Sequence, residues 1–329
     1  MKTLLVTGAT GFVGRNLVLR EISRGTQILA PVRSAAKLRA QLEAEGVDPS
    51  AVTALDADPA KWSGGIQPTH ALLSAGVLFA RNREEYFSTN VDWTLRVLEA
   101  LPESTRIVVL SSQSAGGPTP LGRAARTESD ADTPLTWYGK SKLALERALQ
   151  SQKARRLCIL RPPMILGPRD TATLPLFKMA MGLVRTKPGL RRKEFSFLSV
   201  EDVVEAVEAA WNCESQGPHY ISAHRTITDW ELIETAARTA GGRGVTLPIP
   251  IAAVKAMSLL VDSIPSLRQA APSLTRDRAK EIWPNRWVVD STAFRRATGW
   301  QSRQDLAEAL QGAFRHYLRE GHFAPREKP

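Results

Sequence analysis

Along the first half of the chain, short apolar runs alternate with longer stretches whose apolar positions recur every three to four residues. Lys2 to Thr7, Gln27 to Val32, Ala51 to Leu55, His70 to Ser74, Arg106 to Ser111 and Arg155 to Arg161 read as strands. Phe12 to Arg24, Ala35 to Glu45, Glu84 to Ala100 and Trp137 to Gln150 carry the helical period. Strands alternating with helices predict βαβ units, and hence an α/β fold with a doubly wound parallel sheet covered on both faces. Right-handed crossovers place the loops that follow the strands along one edge of that sheet, where ligands bind.

Beyond about Pro162 the pattern changes. Pro162-Pro163, Gly167-Pro168, Pro175 and Pro188-Gly189 punctuate the chain ahead of a strand at Glu194 to Val200, a helix at Glu201 to Asn212, a short strand at His219 to Ser222 and a helix at Thr228 to Ala240. These elements predict a smaller, partly interleaved lobe over residues 166–329, with some segments returning to the main sheet of residues 1–165. The apolar stretch Ile249 to Val261 contains Pro250 and Lys255 and is shorter than the roughly 20 residues that span a bilayer. It predicts a buried or amphipathic helix, and leaves contact with a membrane surface open.

Composition adds little to the fold and more to the setting. The 329 residues are 43% hydrophobic and 23% charged, which excludes a disordered or collagen-like chain. Cys158 and Cys213 make no disulfide framework and no CxxC pair, and lie near no His cluster in sequence, so a reducing compartment and no metal site are expected. The first strand starts at the second residue and runs into a glycine turn, leaving no room for a signal peptide; a cytoplasmic location follows as the expectation. Lys plus Arg number 44 against 33 Asp plus Glu, a formal +11. The basic residues are scattered apart from short clusters such as Arg191-Arg192-Lys193, and no nucleic-acid module surrounds them. A solvated basic surface without a nucleic-acid partner is expected.

The strongest local signal is Thr7-Gly8-Ala9-Thr10-Gly11-Phe12-Val13-Gly14, between the first strand and the first helix. Gly8 permits a tight turn, Gly11 lets backbone approach a pyrophosphate, and Gly14 allows the helix to pack against the sheet. The amides of Phe12 and Val13 at the helix start are free to meet an anion. The second strand ends in Pro31-Val32-Arg33-Ser34, with Lys37 one turn on, where an acidic residue would accept from a ribose. A guanidinium there matches a 2′-phosphate, so NADP(H) is expected over NAD(H), which stays open. Asp56 and Ala57 after the third strand are placed to contact the adenine. Ala75, Gly76 and Val77 after the fourth strand let backbone lie against the cofactor.

Tyr138 and Lys142 are four residues apart on one helix face. An ammonium near a tyrosine hydroxyl favours the phenolate, which can then exchange a proton with a carbonyl or alcohol oxygen near neutral pH. The preceding strand ends in Ser111-Ser112-Gln113-Ser114, which places hydroxyls at the ligand edge. No GxSxG elbow surrounds either serine and no His falls in a triad arrangement, so a serine-hydrolase reading lacks support.

The combination of TGATGFVG at Thr7 to Gly14, YFSTNVDWT at Tyr86 to Thr94, VVLSSQSAGG at Val108 to Gly117, YGKSK at Tyr138 to Lys142, RPPMILGP at Arg161 to Pro168 and FSFLSVEDVVEAV at Phe195 to Val207 resembles the extended short-chain dehydrogenase/reductase family, the NAD-dependent epimerase/dehydratase superfamily. The resemblance implies a Rossmann-type dinucleotide domain over about residues 1–165 and a substrate lobe over 166–329. It implies Ser112, Tyr138 and Lys142 as the catalytic set: Tyr138 as acid/base, Lys142 on the nicotinamide ribose while tuning the tyrosine, and Ser112 on the substrate oxygen. Asn90 takes a supporting structural role, and Pro163 and Met164 line the nicotinamide amide. Related enzymes often dimerise through helices flanking the sheet.

Within that family the expected reaction is reduction of a ketone or aldehyde to an alcohol, or its reverse, in the manner of dihydroflavonol-reductase-like and steroid-dehydrogenase-like members. Arg33 and the absence of an Asp-Glu pair after Ser112 favour this reading. A nucleotide-sugar epimerase or dehydratase is the alternative, and a noncatalytic dinucleotide-binding regulator is a second one.

Overall fold

The computed structural model describes residues 2–62, 66–152, 154–214 and 217–324. In chain order the first half forms β1 (Thr3–Thr7), α1 (Phe12–Ile22), β2 (Gln27–Val32), α2 (Ala35–Ala44), β3 (Val52–Asp56), β4 (His70–Leu73), α3 (Arg83–Phe87), α4 (Trp93–Glu99), β5 (Arg106–Leu110), α5 (Gln113–Gly116), α6 (Trp137–Leu149) and β6 (Leu157–Arg161). The second half forms β7 (Met164–Leu166), α7 (Leu174–Ala180), β8 (Val184–Pro188), β9 (Glu194–Phe195), β10 (Phe197–Ser199), α8 (Val200–Ala210), β11 (Pro218–Tyr220), β12 (Ile227–Thr228), α9 (Asp229–Ala240), β13 (Val245–Ile249), α10 (Ile251–Ser263), α11 (Pro265–Ala270), α12 (Arg276–Ala279), β14 (Arg286–Trp287), α13 (Thr292–Thr298) and α14 (Leu306–Arg319).

Seven parallel strands make the main sheet in the order β11-β6-β5-β4-β1-β2-β3. Side chains alternate across it with the period of two that a strand imposes. Leu4, Val6, Ile28, Leu72, Val108 and Leu160 face the core shared with α1 and α8. Leu5, Leu29, Leu73, Ile107, Val109 and Ile159 face the opposite core with α4 and α6. Burial on both faces explains why these strands read as continuous apolar runs. The order reverses between β1 and β4, and the loops at the carboxyl ends of the strands flank that switch point.

The lobe beyond β6 has its own core, in which Phe177, Phe197, Ile227, Ala237, Leu310 and Tyr317 meet. The Met-rich segment Leu174 to Met181 belongs to it through Phe177 and Ala180. Short polar residues start several helices: Ser34, Thr136, Ser199 and Thr228 each cap through a side-chain oxygen, and Asp305 forms a capping box with Glu308. β11 lies on the edge of the main sheet beside β6, although it follows the lobe's first elements in sequence.

Two expected elements are divided. The helix read over Glu84 to Ala100 is interrupted by a π-helical turn at Ser88–Asp92, which sets Asn90 fully inside the protein. There its side chain accepts from the Val77 amide at 2.8 Å and donates to the Ser141 hydroxyl at 2.9 Å. A π turn at a functional loop is a recurrent device, and apolar spacing alone does not reveal it. The strand read over Glu194 to Val200 breaks at Ser196, whose amide donates to the Trp287 carbonyl, so β9 pairs in one small sheet and β10 in another.

Candidate active site

The glycine turn is shaped by what a side chain would meet. Gly8 sits at φ +74°, a left-handed conformation that favours glycine, and a Cβ there would lie 3.0 Å from the Ala75 amide nitrogen. A Cβ on Gly14 would lie 2.3 Å from the Gly8 carbonyl oxygen, so only glycine lets α1 press this close to the turn. Gly11 is the N-cap of α1, and no side chain caps the helix. Thr10, Phe12 and Val13 therefore border a helix start, beside the switch point, whose first amides are left without a side-chain cap.

At the far end of that crevice, Arg33 and Lys37 are exposed and Ser34 caps α2. Asp56 ends β3 opposite Val32, next to Arg33. Its carboxylate accepts from the Asp58 amide at 2.8 Å and pairs with Lys61 at 3.2 Å, contacts that hold it below the usual aspartate range and therefore ionised. The Ala57 carbonyl accepts from the Trp93 indole at 2.7 Å. On the inner side, the Thr7 hydroxyl accepts from the amides of Ser74 and Ala75, while the Asn90 side chain holds Val77. Gly76 sits against Lys142: a Cβ there would lie 3.4 Å from the ammonium. Pro163 is buried between β6 and β7, and Met164 opens β7.

Ser112, Tyr138 and Lys142 come together at the carboxyl edge of β5. Ser112 caps α5, accepting from the Ser114 amide, and its hydroxyl lies close enough to Tyr138 to favour the ionised phenol. Ser111 instead points away and hydrogen-bonds the Glu146 carboxylate. That separates the two serines that sequence alone leaves side by side. Lys142 is buried and donates to the Leu110 carbonyl at 2.9 Å. Burial pushes its ammonium down to about 8, against the favourable charge of Glu146.

The tyrosine differs from expectation. Burial raises Tyr138 above its ordinary range, opposed by the nearby Ser112 hydroxyl and by the positive charge of Arg278. Lys142, which donates to the Leu110 carbonyl, does not bring the phenol towards neutrality here; burial outweighs the charges around it. Arg278, from α12, lies over the Tyr138 ring at 5.0 Å and over Phe79 at 5.5 Å. It is fixed by Glu281 at 3.0 Å, and Glu281 in turn accepts from the Thr136 hydroxyl at the cap of α6. Asp277 accepts from the Trp137 amide at 2.8 Å. The α12 segment is thus tied to the first turn of α6, the helix that carries Tyr138 and Lys142.

Beneath the site lies a charged network that sequence reading missed. Arg161 and Glu146 are both nearly inaccessible, at 2% and 3% side-chain exposure, and pair at 2.5 Å. Arg161 also reaches Asp132 at 2.8 Å and the Tyr220 hydroxyl at 2.9 Å. The spacing Tyr138, Lys142, Glu146 keeps all three on one helix face, a signal that was present in the sequence. Elsewhere, Cys158, Cys213 and His219 bring one donor atom each within 4.8 Å of one another, a grouping that sequence separation hides. Among the described residues no fourth His, Cys or carboxylate joins them, whereas structural zinc takes four ligands. His70 lies at the opposite end of β4 from the site, edge-on to Trp211.

A parallel sheet with this strand order, a glycine turn at its switch point and a Ser-Tyr-Lys edge define a dinucleotide-dependent redox enzyme. The family model for the NAD dependent epimerase/dehydratase family matches residues 4–222, and the chain belongs to that family. It is similar to a ceramide reductase of Caulobacter vibrioides, 27% identical over 293 residues covering 87% of this chain and 86% of the relative. A dTDP-6-deoxy-L-talose 4-dehydrogenase (NAD(P)(+)) of Kitasatospora kifunensis is 26% identical, with 93% and 92% covered. Among solved structures, the UDP-glucuronic acid 4-epimerase of Bacillus cereus in complex with NAD shares the fold at TM-score 0.74, with 15% identity and 97% and 99% of the two chains covered.

The expected preference for NADP(H) is corrected by these comparisons. The Bacillus cereus epimerase holds NAD, as do other solved structures of the same fold. The physical weakness of the expectation is the position of Asp56: its ionised carboxylate ends the strand beside Arg33, a like charge for a 2′-phosphate at the same edge. Among the described residues, no helix is long and apolar enough to cross a membrane.

Proposed function

We propose that the protein uses NAD(H) to exchange hydride with a hydroxyl-bearing carbon of a nucleotide-linked sugar, with Tyr138 exchanging the hydroxyl proton. The observation that carries the redox chemistry is the convergence of Ser112, Tyr138 and Lys142 at the carboxyl edge of β5. The sugar reading is supported by the 4-dehydrogenase relative and by the epimerase that shares the fold. The α1 amides beyond Gly11 take the pyrophosphate, with Gly8, Thr10 and Gly14 shaping the turn. Arg33, Lys37, Asp56 and Ala57 border the adenosine. Ala75, Gly76, Val77, Pro163 and Met164 flank the nicotinamide half, where the bound cofactor supplies the hydride acceptor.

In this reading Ser112 donates to the substrate oxygen and fixes its distance from Tyr138. The tyrosine takes the proton as the alcohol is oxidised and returns it on reduction, and the cation of Arg278 favours its ionised form. Lys142 meets the ribose hydroxyls from beside Gly76.

A net carbonyl reductase is the second reading, favoured by the similarity to the ceramide reductase. The two differ in stoichiometry. Purified protein is incubated with NAD and nucleotide sugars, and separately with NADH and free ketones, while product and NADH absorbance are followed together. Conversion of a nucleotide sugar, with or without matched NADH formation, supports the first reading. Reduction of free ketones alone, one NADH per alcohol, overturns it in favour of the second.

A further inference from the structure

Of the thirteen large apolar side chains that stand exposed among the described residues, eleven lie between Leu183 and Leu267. The densest group is on α10 and α11. Helix α10 buries one narrow stripe, Val254, Ser258 and Val261, spaced i, i+4 and i+7. A surface helix ordinarily carries polar residues on the remaining faces. Here Ala252, Ala253, Ala256, Met257, Leu259 and Leu260 fill them, with Leu259 50% and Leu260 59% exposed, and Ile264 and Leu267 continue the surface into α11. A patch of this kind marks an interaction site.

The charges around it choose the occupant. From Gly241 to Arg276, Arg243, Lys255, Arg268 and Arg276 are exposed, and the one acidic residue, Asp262, is half-buried and accepts from the Arg276 amide. A second copy of the chain would set cation against cation across the contact. An anionic lipid surface instead takes the apolar side chains into its interface and the cations onto its headgroups. With 13 residues, α10 is about 20 Å long, too short to span a hydrocarbon core of about 30 Å, so it lies along the surface.

We propose that the protein docks peripherally on anionic membranes through the exposed apolar face of α10 and α11. Helix α10 packs on α12, which carries Arg278 over Tyr138, so the docked face lies behind the segment that covers the catalytic tyrosine. The docking does not depend on which substrate is turned over.

The test is cosedimentation of the full chain with phosphatidylcholine vesicles containing about 30% phosphatidylglycerol, and with phosphatidylcholine alone. Binding is expected to the anionic vesicles, weakened by high salt. Leu259→Ser with Ile264→Ser is expected to lower the partition coefficient roughly tenfold. Lys255→Glu with Arg268→Glu is expected to abolish the preference for anionic lipid, while Leu121→Ser, at an exposed leucine outside the patch, leaves binding unchanged. Circular dichroism and turnover of each variant confirm that it is folded. Absence of vesicle binding overturns the proposal, as does undiminished binding by the Leu259/Ile264 variant. A dimer in light scattering that the same variant dissociates, with no vesicle binding by wild type, assigns the face to a second copy instead.

Discussion

Lys142 offers a thermodynamic signature of the site that needs no substrate. Its ammonium is buried, and burial lowers its pKa from 10.5 to about 8. An unfolded chain keeps this lysine protonated to about pH 10.4, whereas the native protein releases the proton near pH 8. Between those values the unfolded state binds more protons, so unfolding free energy rises with pH through this window; below pH 8 the burial penalty is fully present. The shift corresponds to about 3 kcal/mol, of which about 2 kcal/mol is recovered between pH 7 and 9.5. The perturbation is Lys142→Met, which removes the titrating group at similar length. Urea unfolding of both proteins across this pH range gives their stability difference at each pH. Wild type is expected to gain about 2 kcal/mol on the variant from the low to the high end. A difference that stays constant with pH would refute the reasoning, because it would mean that Lys142 titrates alike in native and unfolded chains. The upper limit stays below the range in which Tyr138, raised by burial, contributes with the opposite sign.

Two further outcomes follow from the neighbours of the site. Glu146→Leu leaves the nearly inaccessible Arg161 with Asp132 as its one carboxylate and frees Ser111, and is expected to cost about 3–5 kcal/mol in urea unfolding, whereas a joint Glu146→Leu and Arg161→Met replacement costs far less. Arg278→Met removes the cation over Tyr138, so the pH at which kcat/KM for alcohol oxidation rises is expected to move upward, while Arg278→Lys keeps part of the effect; an unchanged pH profile in the Met variant would contradict that role.

What the sequence disclosed about this protein follows from the range of each interaction. The strands were legible because both faces of the sheet are buried, which turns local sequence into unbroken apolar runs. Gly8 and Gly14 were legible because their constraints lie within one turn. Tyr138 and Lys142 were legible as an i, i+4 pair, and Glu146 continues the same face, but its partner Arg161 lies on another element. The contact between Tyr138 and Arg278 was not legible, since α6 and α12 meet only in three dimensions and no periodicity links them. The π turn at Asn90 leaves the apolar spacing of a continuous helix intact. The cofactor expectation failed because it read Arg33 for the phosphate and Asp56 for the adenine separately, whereas β-pairing sets them side by side.

The central claim is that Tyr138 exchanges the proton when hydride moves to or from NAD. The most direct measurement compares wild type and Tyr138→Phe for NAD affinity by calorimetry and for hydride transfer in a single turnover, on whichever nucleotide sugar or carbonyl compound wild type converts. The variant is expected to bind NAD with nearly unchanged affinity, since the lost hydroxyl faces Ser112, and to transfer hydride roughly 10²-fold more slowly or worse. Hydride transfer at the wild-type rate in Tyr138→Phe would contradict the claim and remove the tyrosine from the chemistry.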